Sequence, residues 1–310
     1  MQSSVSLIIP FYNRETLLPR TLKSVAESSL FPAHVVLVDN GSTDNSLEVC
    51  RQWATQTDLR VTITQKSRPG AAAARNRGLE EVDTPWVYFF DSDDLLDPDF
   101  FRDIEPHLAD DVDFIAVPTR MEVDGRVGVR HYRPSSDPMC QIFYSHLNTQ
   151  AMVFRTDFLR RIGGWDVRCM IWNDWELGLR VLLNKPRMRW LTGRAYHLIQ
   201  VHPDSITGNG FSDRAGRILE TLRIVADDIC STTEGAAARA RLLKALYLRY
   251  SILAGRLLAE KDKPGVRECF RQRQEIFGKT SASLRVEGWI IKQLTACGLP
   301  GTWRLAMLLV

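Results

Sequence analysis

Three carboxylates fall within four residues at Asp91-Ser92-Asp93-Asp94, directly after the apolar run Trp86-Val87-Tyr88-Phe89-Phe90. Like charges this close oppose one another's ionisation. A divalent cation relieves that repulsion, and hard oxygen donors suit magnesium or manganese. The apolar run, bounded by Pro85, has the form of a buried strand. In open α/β sheets, ligands bind outside the carboxyl ends of the strands. The acids therefore stand where a metal with a phosphorylated ligand is held. The plainer alternative is a solvated acidic turn before a helix, and Asp97-Pro98-Asp99 has that form.

Four further clusters carry chemistry-bearing residues. In Pro10-Phe11-Tyr12-Asn13, Pro10 is expected to fix a turn and Tyr12 can stack on a nucleobase; the alternative is a plain strand-to-helix turn. In Asp39-Asn40-Gly41-Ser42-Thr43-Asp44, Asn40 can accept from an imide N–H, and Asp39 can bind ribose hydroxyls or the base. An Asx turn leading to a helix cap is the competing reading there. Arg68-Pro69-Gly70 leads to Ala74-Arg75-Asn76-Arg77-Gly78, where small residues allow close helix packing and Arg75 can offset phosphate charge. Gly163-Gly164-Trp165-Asp166 precedes Asp174-Trp175-Glu176, and Asp174 opens a helix whose N-terminus favours the ionised carboxylate.

The elements that position these clusters alternate. Strands are expected at 5–9, 35–38, 61–64, 87–90 and 113–117, with helices near 15–28, 45–57 and 71–81. This order and these continuous apolar runs predict an α/β fold with a doubly wound, mainly parallel sheet. Residues 121–146 are less regular. A short helix is expected at 158–162, a helix at 174–183, and strands at 188–191 and 195–201. From about 212 the pattern is helical almost throughout, with a break at Pro264-Gly265. Pro, Asn and Gly in 202–210 mark a boundary, giving a domain at 1–211 and a helical C-terminal region at 212–310.

A length of 310 residues suffices for a full core, and a net charge of +3 gives no reason to expect a nucleic-acid partner. The charge is uneven. Residues 212–310 hold 17 basic and 10 acidic side chains, against 23 and 27 in the preceding 211. The six cysteines form no CxxC pair, which argues against a zinc ribbon or a disulfide framework and fits a reducing compartment. The apolar run at 5–9 is too short for a signal peptide, and no run reaches the length of a membrane span. A cytoplasmic protein is expected, with surface association at the inner face of the membrane left open. Gly278-Lys279-Thr280 resembles the end of a P-loop, but Arg273 stands where that motif needs glycine and no strand precedes it.

Taken in order, the segments PFYN at 10–13, DNGSTD at 39–44, GAAAARNRG at 70–78, DSDD at 91–94, GGWD at 163–166 and NDWELGLR at 173–180 resemble the inverting family 2 glycosyltransferases of the GT-A fold. The resemblance covers about residues 4–208. It implies a GT-A (Rossmann-like) catalytic domain that moves a sugar from a nucleoside-diphosphate sugar, UDP favoured, to a glycan or lipid-linked acceptor hydroxyl. It implies that Pro10, Tyr12, Asn13, Asp39, Asn40, Arg75, Asp91 and Ser92 bind the donor. Asp93 would be the direct ligand of Mn2+ or Mg2+, with Asp91 contributing and lying nearer the ribose. His202 would add a metal ligand, and Asp174 would be the general base. Trp165, Trp172 and Trp175 form either an acceptor platform or core packing. Two positions depart from the commoner pattern: Asn40 stands where a second Asp is frequent, and Asn173 where a Glu often precedes the base. The alternative function is a non-catalytic nucleotide-sugar-binding partner subunit. Tryptophan, aliphatic and basic residues at 289–294 and 303–310 also suggest a peripheral membrane contact.

Overall fold

β-Branched and aliphatic residues crowd the short runs that begin at Val5 and His34, and both become strands buried on both faces. The computed structural model describes residues 2–66, 70–123, 125–130, 132–200 and 210–310. In chain order the elements are β1 (Val5–Phe11), α1 (Leu18–Ala26), β2 (His34–Asp39), α2 (Ser46–Gln56), β3 (Val61–Gln65), α3 (Ala71–Glu80), β4 (Trp86–Phe89), α4 (Phe100–Ile104), β5 (Phe114–Ala116), β6 (Thr119–Val123), β7 (Arg126–Val129), α5 (Pro138–Tyr144), β8 (Met152–Arg155), α6 (Thr156–Arg161), α7 (Asn173–Leu183), β9 (Met188–Trp190) and β10 (Tyr196–Gln200). The helices α8 (Ala215–Thr232), α9 (Ala236–Ala259), α10 (Lys263–Phe277), α11 (Ala282–Ala296) and α12 (Thr302–Leu308) follow.

The chain forms two units that interleave along the sequence. One holds residues 2–134, 146–167 and 186–200; the other holds 135–145, 168–185 and the described residues from 210 on. In the first unit a seven-stranded sheet runs β3-β2-β1-β4-β8-β5-β9. The pairs β1–β2, β2–β3, β1–β4 and β5–β9 are parallel. β8 is antiparallel to both of its neighbours. A second sheet, β10-β6-β7, brings residues 196–200 beside 119–122. The mainly parallel, doubly wound sheet and the helical C-terminal region agree with the sequence reading. β8 was not anticipated. Pro10 corrects an expectation as well: it lies inside β1, which continues to Phe11, and the turn is made by Asn13 in the left-handed region at φ 49°.

The strand order reverses between β1 and β4, because β2 and β3 extend the sheet on one side and β4 opens the other. A crevice at the carboxyl ends of these two strands is the expected ligand position of such a sheet. α3 covers this part of the sheet closely at Gly78. A Cβ there would lie 2.5 Å from Ile8 Cγ2 and 3.0 Å from Val38 Cγ2. Three helical residues earlier, the same helix presents Arg75.

The second unit is all helical among the described residues. Its core joins Ile218, Leu222 and Val225 of α8 to Leu246, Tyr250 and Leu253 of α9. α11 crosses α9 closely at Gly255, where a Cβ would lie 2.6 Å from the Lys292 carbonyl, and at Gly288, where it would lie 2.8 Å from the Tyr247 ring.

The Gly78 contact gives a stability test. Gly78→Ala is expected to cost about 1–3 kcal/mol through overpacking against Ile8 and Val38. Chemical denaturation should show a lower midpoint; an unchanged midpoint contradicts the close packing of α3 on β1 and β2.

Candidate functional site

The polypeptide leaves β4 with three acids and no helix to spread them, so each must find compensation locally. Asp91 Oδ1 accepts from Arg75 Nη2 at 2.7 Å, and its Oδ2 accepts from Gln150 Nε2 at 2.7 Å. The same Gln150 amide lies 2.5 Å from Asp94 Oδ2, while Asp94 Oδ1 accepts from the Gln200 backbone N–H at 2.9 Å. Asp94 is buried, and burial first, then the charges of Asp91 and Asp93, holds its carboxyl well above the usual range. Asp93 keeps partial exposure, with Arg14 Nη2 at 3.4 Å from its Oδ2. That ion pair links the segment after β1 to the segment after β4. Ser92 is buried, and the Thr21 hydroxyl of α1 lies 2.9 Å from the Ser92 and Asp94 carbonyls.

Arg75 is itself held from behind. Its guanidinium carbon lies 4.3 Å from the centroid of the Trp165 ring, which also meets Phe89 edge-on at 5.2 Å. Trp165 is fixed by Asn76, whose Oδ1 accepts from the Trp165 N–H at 2.9 Å and whose Nδ2 donates to the Trp165 carbonyl at 2.8 Å. Gly164, at φ 65°, leaves room for this clasp: a Cβ would meet Asn76 Oδ1 at 2.7 Å. Trp165 is therefore packing beneath Arg75 and not an exposed platform.

The loops after β1 and β2 are stitched together. The Asn13 N–H donates to Ser42 Oγ at 3.0 Å, the Thr43 N–H to Asn13 Oδ1 at 2.8 Å, and the Arg14 N–H to Ser46 Oγ at 2.7 Å. Asp39 is buried, its Oδ1 accepting from the Ser42 N–H and its Oδ2 from Gln65 Nε2. Asn40 Oδ1 is buried with no hydrogen-bond partner among the described residues. An orphaned acceptor of this kind suits a donor supplied by a ligand. The Asn40 N–H donates to the Phe11 carbonyl at 2.9 Å, and the next residue on that strand end, Tyr12, is 51 % exposed. Pro10, Tyr12, Asn13, Asp39, Asn40, Arg75, Asp91, Ser92 and Asp93 all belong to the first unit.

Asp174 belongs to the second unit, in the first turn of α7, where its Oδ1 accepts from the Trp175 N–H at 2.8 Å. Trp175 is buried, donating from its indole nitrogen to the Gln141 carbonyl at 2.9 Å. His202 lies outside the described residues. His197 is enclosed by Tyr88, Phe90, Phe100 and Tyr196, and its Nδ1 accepts from the Asp97 N–H at 3.2 Å.

Among the described residues no group of three histidine, cysteine or acid side chains is arranged to hold a cation. The donor set still fits one in a narrower sense. Asp93 offers a partly exposed hard carboxylate, and magnesium-like ions commonly use one or two carboxylates plus substrate phosphates. Asp91 has both oxygens engaged, so Asp93 is the better placed donor. Sequence reasoning found the three acids and Arg75 but missed Gln150 and Arg14. Neither carries a local signal, since a glutamine before a four-residue strand and an arginine after a turn are ordinary.

A family profile described as glycosyl transferase family 2 matches residues 6–167. Glycosyltransferase GlyA of Streptococcus pneumoniae serotype 4 (strain ATCC BAA-334 / TIGR4) is 25 % identical over 160 residues, covering 52 % of this chain and 23 % of GlyA. The chain thus spans about a quarter of that relative's length. The crystal structure of S. aureus TarS 1-349 in complex with UDP-GlcNAc superposes with a TM-score of 0.72 at 18 % identity, covering 99 % of this chain and 90 % of that one. Mannosyltransferase PcManGT from Pyrobaculum calidifontis, in complex with GDP-Man and Mn2+, superposes with a TM-score of 0.58 at 16 % identity, covering 99 % and 84 %. These likenesses show the fold.

The enclosure of His197 sets a pH dependence. Burial first, and Arg120 next, hold its imidazole well below the ordinary 6.5. The unfolded chain then binds a proton that the folded chain refuses, so stability is full above about pH 6.5 and is lost as pH falls below it. His197→Asn should reduce the stability difference between about pH 5 and about pH 7 by up to about 2 kcal/mol. An equally steep dependence in the variant contradicts the assignment.

Proposed function

The chain belongs to glycosyl transferase family 2, and from that premise we propose that it moves a sugar from a nucleoside-diphosphate donor, UDP favoured, to a glycan or lipid-linked hydroxyl with inversion. The observation that carries the reading is the braced carboxylate turn at the end of β4. It adjoins the loop that holds Tyr12, and the orphaned Asn40 oxygen lies on the same edge of the sheet. UDP-GlcNAc and GDP-Man with Mn2+ are the ligands of two proteins that share the fold.

In this reading Tyr12 stacks on the base and Asn40 Oδ1 accepts from its imide N–H. Asp39 and Asp91 serve the ribose, with Pro10, Asn13 and Ser92 shaping the backbone around it. Arg75 supports Asp91 and offsets phosphate charge. Asp93, with Asp91 beside it, would hold Mn2+ or Mg2+. The cation, when bound, neutralises charge on the diphosphate. The acceptor oxygen forms its bond to the anomeric carbon as the bond to the diphosphate oxygen breaks. The electron pair leaves with the diphosphate, and Asp174 takes the hydroxyl proton. Attack opposite the leaving group inverts the carbon and needs no covalent enzyme intermediate. The base role of Asp174 rests on the family motif and on its place in the first turn of α7.

A peripheral membrane contact belongs to the same reading. Val286, Trp289 and Ile290 of α11 are exposed, and the acid nearest to them, Glu287, is paired with Lys244 at 3.1 Å. No described helix is long and apolar enough to cross a membrane.

Asp174→Asn keeps the shape of the side chain but cannot accept the proton, so kcat should fall by roughly a hundredfold or more with donor affinity little changed. A fully active Asp174→Asn enzyme contradicts the base assignment. Asp93→Ala, or EDTA, should nearly abolish turnover of a UDP-sugar, and full activity in EDTA contradicts the metal role. A wild-type chain that binds UDP-sugars yet forms no product with any acceptor favours the non-catalytic partner subunit.

A further inference from the structure

Outside the catalytic residues, the second unit gathers cations around a concavity that holds no acid. α9, α10 and the turn before α11 enclose a cleft of about 360 Å³, floored by Tyr247 and Phe270 and rimmed by Arg273, Lys279, Thr280 and Arg285. Its size lies within the range of small-molecule sites.

Arg273, Arg285 and Lys292 are held by contacts other than carboxylates. The Arg273 guanidinium carbon lies 4.3 Å from the Tyr247 ring centroid and 4.6 Å from that of Phe270, and its Nη1 donates to Ser251 Oγ at 3.0 Å. Burial holds this guanidinium below its usual value, so the charge is kept in a place that disfavours it. Arg285 Nη1 donates to the Thr280 carbonyl at 3.1 Å. Lys292 adds a fourth positive charge 5.4 Å from the Phe270 ring centroid.

The neighbouring acids are committed elsewhere: Glu268 and Glu275 pair with Arg271, and Glu287 with Lys244. None of these acids lines the cleft. Gly288 permits the arrangement, because a side chain there would meet the Tyr247 ring and Ser251.

A partly buried Arg273 guanidinium, flanked by the exposed Lys279 and Arg285 with no carboxylate lining the cleft, favours an oxyanion, and phosphate offers several acceptor oxygens for such donors. We propose that this cleft between α9, α10 and α11 is a phosphate-binding site, taking the phosphoryl group of a phosphoester through Arg273, Lys279 and Arg285. The cleft belongs to the second unit and the proposed donor residues to the first, and its assignment does not depend on the chemistry proposed for them. The phosphoryl group comes either from a soluble phosphoester or from an anionic lipid headgroup.

The test uses the full chain and the double variant Lys279→Gln/Arg285→Gln, whose altered side chains are exposed. Calorimetric titration with sn-glycerol 3-phosphate, in buffer without phosphate, should give saturable binding that the double variant weakens by roughly tenfold or more. Binding of UDP should be the same in both proteins. Cosedimentation with vesicles of phosphatidylcholine and phosphatidic acid separates the sources. Sedimentation of the wild type that glycerol phosphate competes away supports the site with a lipid phosphate as its ligand. Binding of the soluble ester without sedimentation supports it with a soluble phosphoester. No binding of glycerol 3-phosphate, or equal affinity in wild type and double variant, overturns the proposal.

Discussion

Three carboxylates held at one strand end are the constraint on which the first unit depends. Asp91, Asp93 and Asp94 repel one another, and burial of Asp94 raises the cost of charging it. The fold answers with donors from four distant places in the chain. Arg75 comes from α3, Gln150 from the turn before β8, the Gln200 N–H from the end of β10, and Arg14 from the loop after β1. Each donor requires its own element to be in register. The close seat of α3 on Gly78 and the Asn76–Trp165 clasp matter because they aim Arg75.

The same arithmetic separates the three acids by task. Asp94 has donors on both oxygens and little access to water, so it anchors the turn. Asp91 is gripped on both sides and serves to hold Arg75 and Gln150 in place. Asp93 meets Arg14 at 3.4 Å and remains partly exposed, which leaves it open to a cation from the solvent side. A sheet with this strand order puts that acid at the reversal point between β1 and β4, where ligands of such folds bind.

Much of this was legible in the residues, and the limits have physical causes. The parallel strands announced themselves as continuous apolar runs, and the motifs at 10–13, 39–44 and 91–94 lie at the carboxyl ends of β1, β2 and β4. The family resemblance is borne out by the profile match over residues 6–167. β8 was missed because its apolar run is only a few residues long, and it is the strand that turns part of the sheet antiparallel. Gln150 was missed with it, since its value comes only from the turn that aims it at two carboxylates. Pro10 was read as a turn because proline usually ends strands, yet β1 runs through it. Trp165 had two readings in the sequence, and its burial beneath Arg75, clasped by Asn76, decides between them.

We propose that the turn after β4 holds a nucleoside diphosphate together with a divalent cation. Calorimetric titration of UDP into the chain, with Mn2+ and then with EDTA, tests it most directly. The account predicts binding in Mn2+ that weakens by roughly tenfold or more in EDTA, with Asp93→Asn losing the difference between the two conditions. UDP binding of equal strength in Mn2+ and EDTA, or no UDP binding in either, contradicts it.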